Sequence, residues 1–216
     1  MNDANKLKNI LDILSKSSII ESAPVFQMIS MQNKEPFKIL ISAIISARSR
    51  DNVTIKVSID LFKVLKLPCD VYSVSQETIE NIIKPCGFFR QKAKTIARVC
   101  KLICDDFNGI IPNDYDTLIN TKGLGRKIVN MLFSNAFDKN IVCVDTHVHR
   151  ISNRLGIINT KNVFSTEKSL EKILYDDNDF KRINHLFVAL GQTVCKPIKP
   201  NCNLCPINQI CKKILI

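Results

Sequence analysis
Apolar residues recur along this chain at a spacing close to 3.6, and that rhythm divides it into helices. Leu7, Ile10, Leu11 and Leu14 share one face of a short N-terminal helix, which the polar run 15–18 ends. Behind Pro36, suited to a first helical turn, Phe37, Leu40, Ile41, Ile44 and Ile45 fill the i, i+3, i+4, i+7, i+8 positions of a largely buried helix. Asp51 is placed to cap the next helix, which carries Val53, Val57, Leu61, Val64 and Leu65 and stops at Pro68. Ser75 caps a shorter one with Ile79, Ile82 and Ile83, broken at Gly87. A long helix over 90–108 follows, with Ala93, Ile96, Ala97, Cys100, Cys104 and Phe107 on one stripe and Gly109 and Pro112 as its stop. Cys100 and Cys104 lie on that stripe and read as core thiols.

From 115 to 150 the chain reads as a helical segment, a tight hairpin Thr121-Lys122-Gly123-Leu124-Gly125, and a second helix opening at Arg126-Lys127. That helix continues through Ile128, Val129, Leu132, Phe133 and Ala136 to near Asp138. Val148, Ile151 and Leu155, closed by Gly156, form another, with Asp145 or Thr146 as its cap. Asp179 opens a last long helix through Ile183, Leu186, Phe187, Leu190 and Val194. Only 141–144 looks strand-like, too short to build a sheet, so the fold class is all-α with roughly ten helices.

Composition and charge then narrow the function. The 216 residues are 45 % hydrophobic, enough for a sizeable core, and 31 Lys+Arg against 20 Asp+Glu leave a net charge of +11. An excess of that size points to a polyanionic partner, nucleic acid or an anionic membrane. The polar stretch 1–8 lacks a signal-peptide core and no run approaches bilayer-spanning length, which predicts a cytoplasmic protein. In that compartment nine cysteines argue for metal or cluster ligation plus buried thiols, not a disulfide framework.

Two stretches carry chemistry. Gly123 and Gly125 before an apolar helical run let the backbone turn tightly and aim N–H groups outward, as a helix N-terminus does when it holds a phosphate. Lys127 in that first turn then reads as a phosphate clamp or as a nucleophile. Near the C-terminus Cys195, Cys202, Cys205 and Cys211 follow a C-x6-C-x2-C-x5-C spacing in a Pro-rich loop. Four thiolates there can enclose a tetrahedral zinc or a four-iron cluster, and the chemistry of the ligands does not choose between them. Lys196 and Lys199 stand among these thiols, with no acidic residue from 195 to 216, so the loop suits a phosphate backbone.

The run Leu124-Gly125-Arg126-Lys127 resembles the hairpin of the helix-hairpin-helix DNA glycosylases, most closely the endonuclease III family. Val144-Asp145-Thr146-His147, eighteen positions beyond Lys127, is similar to that family's catalytic aspartate segment, and the cysteine spacing to its iron–sulfur motif. The resemblance implies a [4Fe–4S] cluster on the four thiols and a two-lobed arrangement: a six-helix domain over 29–139 containing the hairpin, and a helical cluster domain made of 1–28 with 140–216. It implies a monomeric, nucleoid-associated enzyme acting on damaged or abasic duplex DNA, in which Lys127 forms an imine with the sugar and Asp145 supports the developing charge. Lys122, Gly123, Gly125 and Arg126 would face the phosphates. Phe88, after Gly87, matches the residue that wedges into the duplex, with the core as its other reading. Arg48 replaces the family's usual glutamine and is similar to the arginine of G·T mismatch glycosylases, and Lys122 stands where proline is usual. The leading expectation is therefore a bifunctional glycosylase/abasic-site lyase for oxidised pyrimidines. A monofunctional mismatch glycosylase and a non-catalytic DNA-binding module are the rivals.

Overall fold
A computed structural model describes residues 3–214. Met1, Asn2, Leu215 and Ile216, the outer ends of the expected cluster domain, lie outside the described residues. Among the described residues there are eleven α-helices, three short 3-10 turns and no strand. The chain divides into two compact units, one formed by residues up to Phe26 with those from Asn140 onward, the other spanning Gln27–Lys139.

In the 27–139 unit the most buried element is α3 (Pro36–Ser46), where Phe37 and everything from Ile39 to Ile45 are sealed from solvent. An apolar surface all round makes this a central helix, and each large side chain buried there contributes about 2 kcal/mol. Around it stand α4 (Asp51–Val64), α6 (Phe89–Phe107) and α8 (Arg126–Asn135), while α5 (Gln76–Ile83) packs on α4 and α6, and α7 (Tyr115–Ile119) on α8. Asp51 is not the cap of α4 but its first residue, behind Arg50, where an acidic side chain still favours the helix dipole. Ser75 does cap α5, accepting from the Thr78 N–H. Cys100 is a buried thiol pushed up to about 12 by its burial. Cys104 is not: it forms a disulfide with Cys69, because the 3-10 turn Pro68–Tyr72 lies against α6 and brings the two Cα atoms to 5.2 Å.

In the other unit α11 (Asp177–Thr193) packs on α9 (Thr146–Arg154) and α1 (Asp3–Ser15), and α10 (Val163–Glu171) rests on α9. Leu7, Ile10, Leu11 and Leu14 meet Val148, Ile151, Ile183 and Phe187 in one core. The strand-like stretch 141–144 is not a strand. Val142, Cys143 and Val144 are buried, and the Cys143 carbonyl accepts from the Asn184 side chain of α11. The remaining helix, α2 (Pro24–Gln32), crosses the division between the units.

Candidate active site and cysteine loop
The hairpin is shaped by one glycine and supported by α6. Gly123 has φ +100, and a Cβ there would stand 2.7 Å from the Thr95 side chain, so both conformation and space exclude other residues. Arg98 of α6 donates to the Lys122 carbonyl at 3.2 Å, and the Leu124 N–H closes the turn onto the Thr121 carbonyl. Gly125 is the N-cap of α8 in extended conformation; it has no side chain to offer, and a Cβ there would meet nothing within 4 Å. Arg126 and Lys127 are exposed in the first turn behind it, and Lys122 is exposed on the hairpin. A basic first turn behind a glycine N-cap, which brings no side-chain acceptor of its own, suits an anion.

The other sequence-singled residues of this unit meet at the junction of two loops. Arg48, between α3 and α4, and Phe88, the N-cap of α6, both have left-handed backbones, with φ of 55° and 58°. The Arg48 guanidinium stacks on the Phe88 ring, 5.2 Å from its centroid. Phe88 is 64 % exposed, so the core reading of this residue fails. A Cβ on Gly87 would come within 3.1 Å of the Arg48 carbonyl, so the two backbones touch.

In the other unit Asp145 is the N-cap of α9: its Oδ1 accepts from the His147 N–H at 2.8 Å and the Val148 N–H at 2.9 Å. Thr146, the alternative cap, is already inside the helix. Both bonds fall on one oxygen, and among the described residues Oδ2 has no hydrogen-bond partner. His147 lies against the Arg150 guanidinium at 3.2 Å, and His149 shares a 2.7 Å bond with the Thr166 hydroxyl.

Four thiols of the tail line a single small cavity with Arg154, Val194, Pro200, Asn208 and Lys213. Among the described residues no three Cys, His, Asp or Glu side chains converge on the position of one ion. The thiols are distributed around the cavity wall, and Asn208 turns into the protein a buried carbonyl oxygen with no partner. Arg154 holds the loop: its guanidinium donates to the carbonyls of Lys196 (2.7 Å) and Pro197 (2.8 Å) and approaches the Cys195 sulfur at 3.5 Å. Arg150 donates twice to the Cys195 carbonyl. Burial pushes the Cys205 and Cys211 thiols up, and the backbone N–H groups of Ile207 and Lys213 pull them back. Lys196 and Lys199 are exposed on the same loop.

Residues 41–175 match the model of the HhH-GPD superfamily base excision DNA repair proteins. The chain is 37 % identical over 178 residues to endonuclease III of Thermotoga maritima, covering 82 % of this chain and 83 % of that protein. It belongs to the endonuclease III family. Members are bifunctional DNA glycosylase/abasic-site lyases, and this chain is an enzyme of that class. An endonuclease III trapped as a covalent intermediate with DNA superposes with a TM-score of 0.75 at 33 % identity, over 88 % of this chain and 92 % of that one. A thermostable thymine-DNA glycosylase has the same fold, with a TM-score of 0.81 over 98 % of this chain and 95 % of that one, at 20 % identity.

Four residues that shape these sites are not legible in the sequence of this endonuclease III-type chain. Lys92 and Thr95 lie on the buried side of α6, beside the stripe residues Ala93 and Ile96, yet a lysine or threonine in a helix reads as solvated. Arg150 and Arg154 of α9 flank Ile151 and Leu155 in the same way, and only their carbonyl partners 41–45 positions away give them a role.

Proposed function
We propose that this endonuclease III-type enzyme releases oxidised pyrimidines from duplex DNA in the cytoplasm, on nucleoid DNA, with Lys127 as nucleophile. The Lys127 amine, once unprotonated, attacks C1′ of the extruded nucleotide. The glycosidic bond breaks, and the base leaves with the electron pair and takes up a proton. The C1′–O4′ bond then breaks and opens the sugar ring, O4′ leaving with the electron pair and taking up a proton, while the nitrogen lone pair closes the C1′–N bond to a protonated imine. Loss of a C2′ proton expels the 3′ phosphate, and water frees the lysine. Asp145 supports the positive charge on the sugar and receives the proton of the attacking amine; its free Oδ2 is the oxygen available for this, since Oδ1 is engaged by the helix. The α8 N-terminus with Gly123, Gly125, Lys122 and Arg126 holds phosphates on one unit, and Lys196 and Lys199 on the other. The observation that supports this reading most is a lysine in the exposed first turn of α8, behind a glycine N-cap, in a chain of this family.

Cys195, Cys202, Cys205 and Cys211 would hold a [4Fe–4S] cluster. The donor set fits: four thiols round one cavity, no competing carboxylate in the loop, and an orphaned Asn208 oxygen buried beside them. When bound, such a cluster cross-links the loop through four Fe–S bonds and so presents its lysines rigidly. Arg154 fixes the same loop from inside through its carbonyls.

Borohydride trapping on duplexes bearing thymine glycol, dihydrouracil, uracil or thymine opposite G, and a bare abasic site, tests the proposal. An adduct on the oxidised pyrimidines that vanishes in Lys127→Ala is the expected result. Base release from the G·T duplex without an adduct would favour the mismatch reading, which Arg48 supports. Purified protein should bring about four irons per chain. Stoichiometric zinc in anaerobic preparations overturns the cluster.

A further inference from the structure
Lys92 is a buried charge that the reaction as described leaves unused. Its side chain is 5 % exposed, and its ammonium donates to the Ile45 carbonyl and the Ser49 hydroxyl, each at 2.7 Å. No carboxylate is bonded to it among the described residues, and burial pushes its pKa below the usual lysine range, with the Cys86 sulfur opposing. An unpaired buried ammonium serves a fold less well than a methionine of similar length. What it does accomplish is local. Ile45 is in the last turn of α3, where carbonyls lack a helical partner, and Ser49 lies in the loop that follows, so the two acceptors bracket Arg48. The Lys92 backbone N–H donates to the Phe88 carbonyl at 3.0 Å. One residue thus holds the Arg48 loop with its side chain and the Phe88 corner with its main chain, and the left-handed backbones at both places need such support.

We infer that Lys92 is a positioning residue for base extrusion: it locks the Arg48 loop against the Phe88 corner, so that guanidinium and ring enter the duplex as one preformed wedge. The inference rests on the wedge reading of Arg48 and Phe88. Extrusion leaves a gap in the stack, and a wedge ordered beforehand fills it without a further ordering cost.

The test uses the full-length protein with its cluster, in single-turnover assays on a dihydrouracil duplex and on a preformed abasic site. A 2-aminopurine opposite the lesion reports how the gap is filled. Lys92→Met should lower base excision about tenfold, with abasic-site cleavage falling about threefold or less, because a displaced positioning group chiefly slows the step it prepares. The 2-aminopurine signal on binding should shrink to that of Phe88→Ala, and Lys92→Arg, which can still donate to both acceptors, should recover part of both. Should Lys92→Met fail to fold, Ser49→Ala removes one acceptor and is read in the same way. Equal losses on both substrates, or losses scaling with the folded fraction, overturn the inference. If Phe88→Ala impairs excision while Lys92→Met does not, the inference alone fails. If Phe88→Ala leaves excision intact, the wedge reading fails and takes the inference with it.

Discussion
Helix α8 begins at Gly125, which brings no side chain to its first turn, whereas α9 begins at Asp145, whose Oδ1 takes the N–H groups of His147 and Val148. Both ends present the same partial positive charge, about half a unit. At α8 that charge faces outward with Arg126 and Lys127, so it selects an external anion. At α9 it is spent on an internal one, and the carboxylate it holds is thereby fixed in direction with its second oxygen unengaged. The contrast shows how one backbone motif serves either as a binding site or as a mount for a side chain, according to the residue at the N-cap.

Removing the nucleophile should have the largest effect. Lys127→Ala is expected to lower abasic-site cleavage by about a thousandfold or more and to leave no borohydride adduct. Wild-type cleavage in that variant would reduce Lys127 to a phosphate clamp and erase the chemical side of the contrast. Next comes the held carboxylate. Asp145→Asn keeps an oxygen that can cap α9, so melting should hardly move while excision drops about a hundredfold. Asp145→Ala should add a stability loss of about 1 kcal/mol, or a few degrees in Tm. An active Asp145→Asn enzyme would make this residue only a cap.

Closing the open end gives a smaller change of mixed sign. Because a Cβ at position 125 meets nothing, Gly125→Asp should fit, cap α8, and raise stability by a few tenths of a kcal/mol. Its charge should also weaken binding to undamaged duplex about tenfold at low salt. Stabilisation without weaker binding, measured by fluorescence anisotropy against a salt series, would show that phosphates do not dock at this end. The smallest effect is expected at Lys199, which stands at neither helix end. Lys199→Ala should weaken binding about two- to threefold on every sequence and lower the salt slope by about one. A loss confined to one lesion would assign that loop a part in base recognition.

The helices most legible in the sequence are those that bury an apolar stripe, such as α3 and α6, because periodicity records which side faces the core. Helix α10 gave no such signal: Thr166 and Glu167 are buried on it beside Leu170, and the Thr166 hydroxyl is there to meet His149. Helix α2 was invisible for a related reason, since only Gln32 of its nine residues is fully buried. The candidate site was legible where its chemistry is contiguous, at the hairpin, the Asp145 segment and the cysteine spacing. It was illegible where a polar side chain does its work inside. Lys92 looks like any surface lysine until Ile45 and Ser49 are brought to it, and Cys69 and Cys104, 35 positions apart, share no spacing that announces a disulfide.

Sequence by itself determined the all-helical class, the order of the two motifs and the residues able to act as nucleophile, carboxylate and thiol ligands, because each depends on neighbours within a turn or a loop. Only the tertiary structure decided that Asp145 and not Thr146 caps α9, that Phe88 is exposed beneath Arg48, and that Lys92 is buried against Ile45 and Ser49. Those outcomes turn on burial and on hydrogen-bond partners distant in the chain. A residue's type states which bonds it is able to make, and packing alone selects the ones it makes.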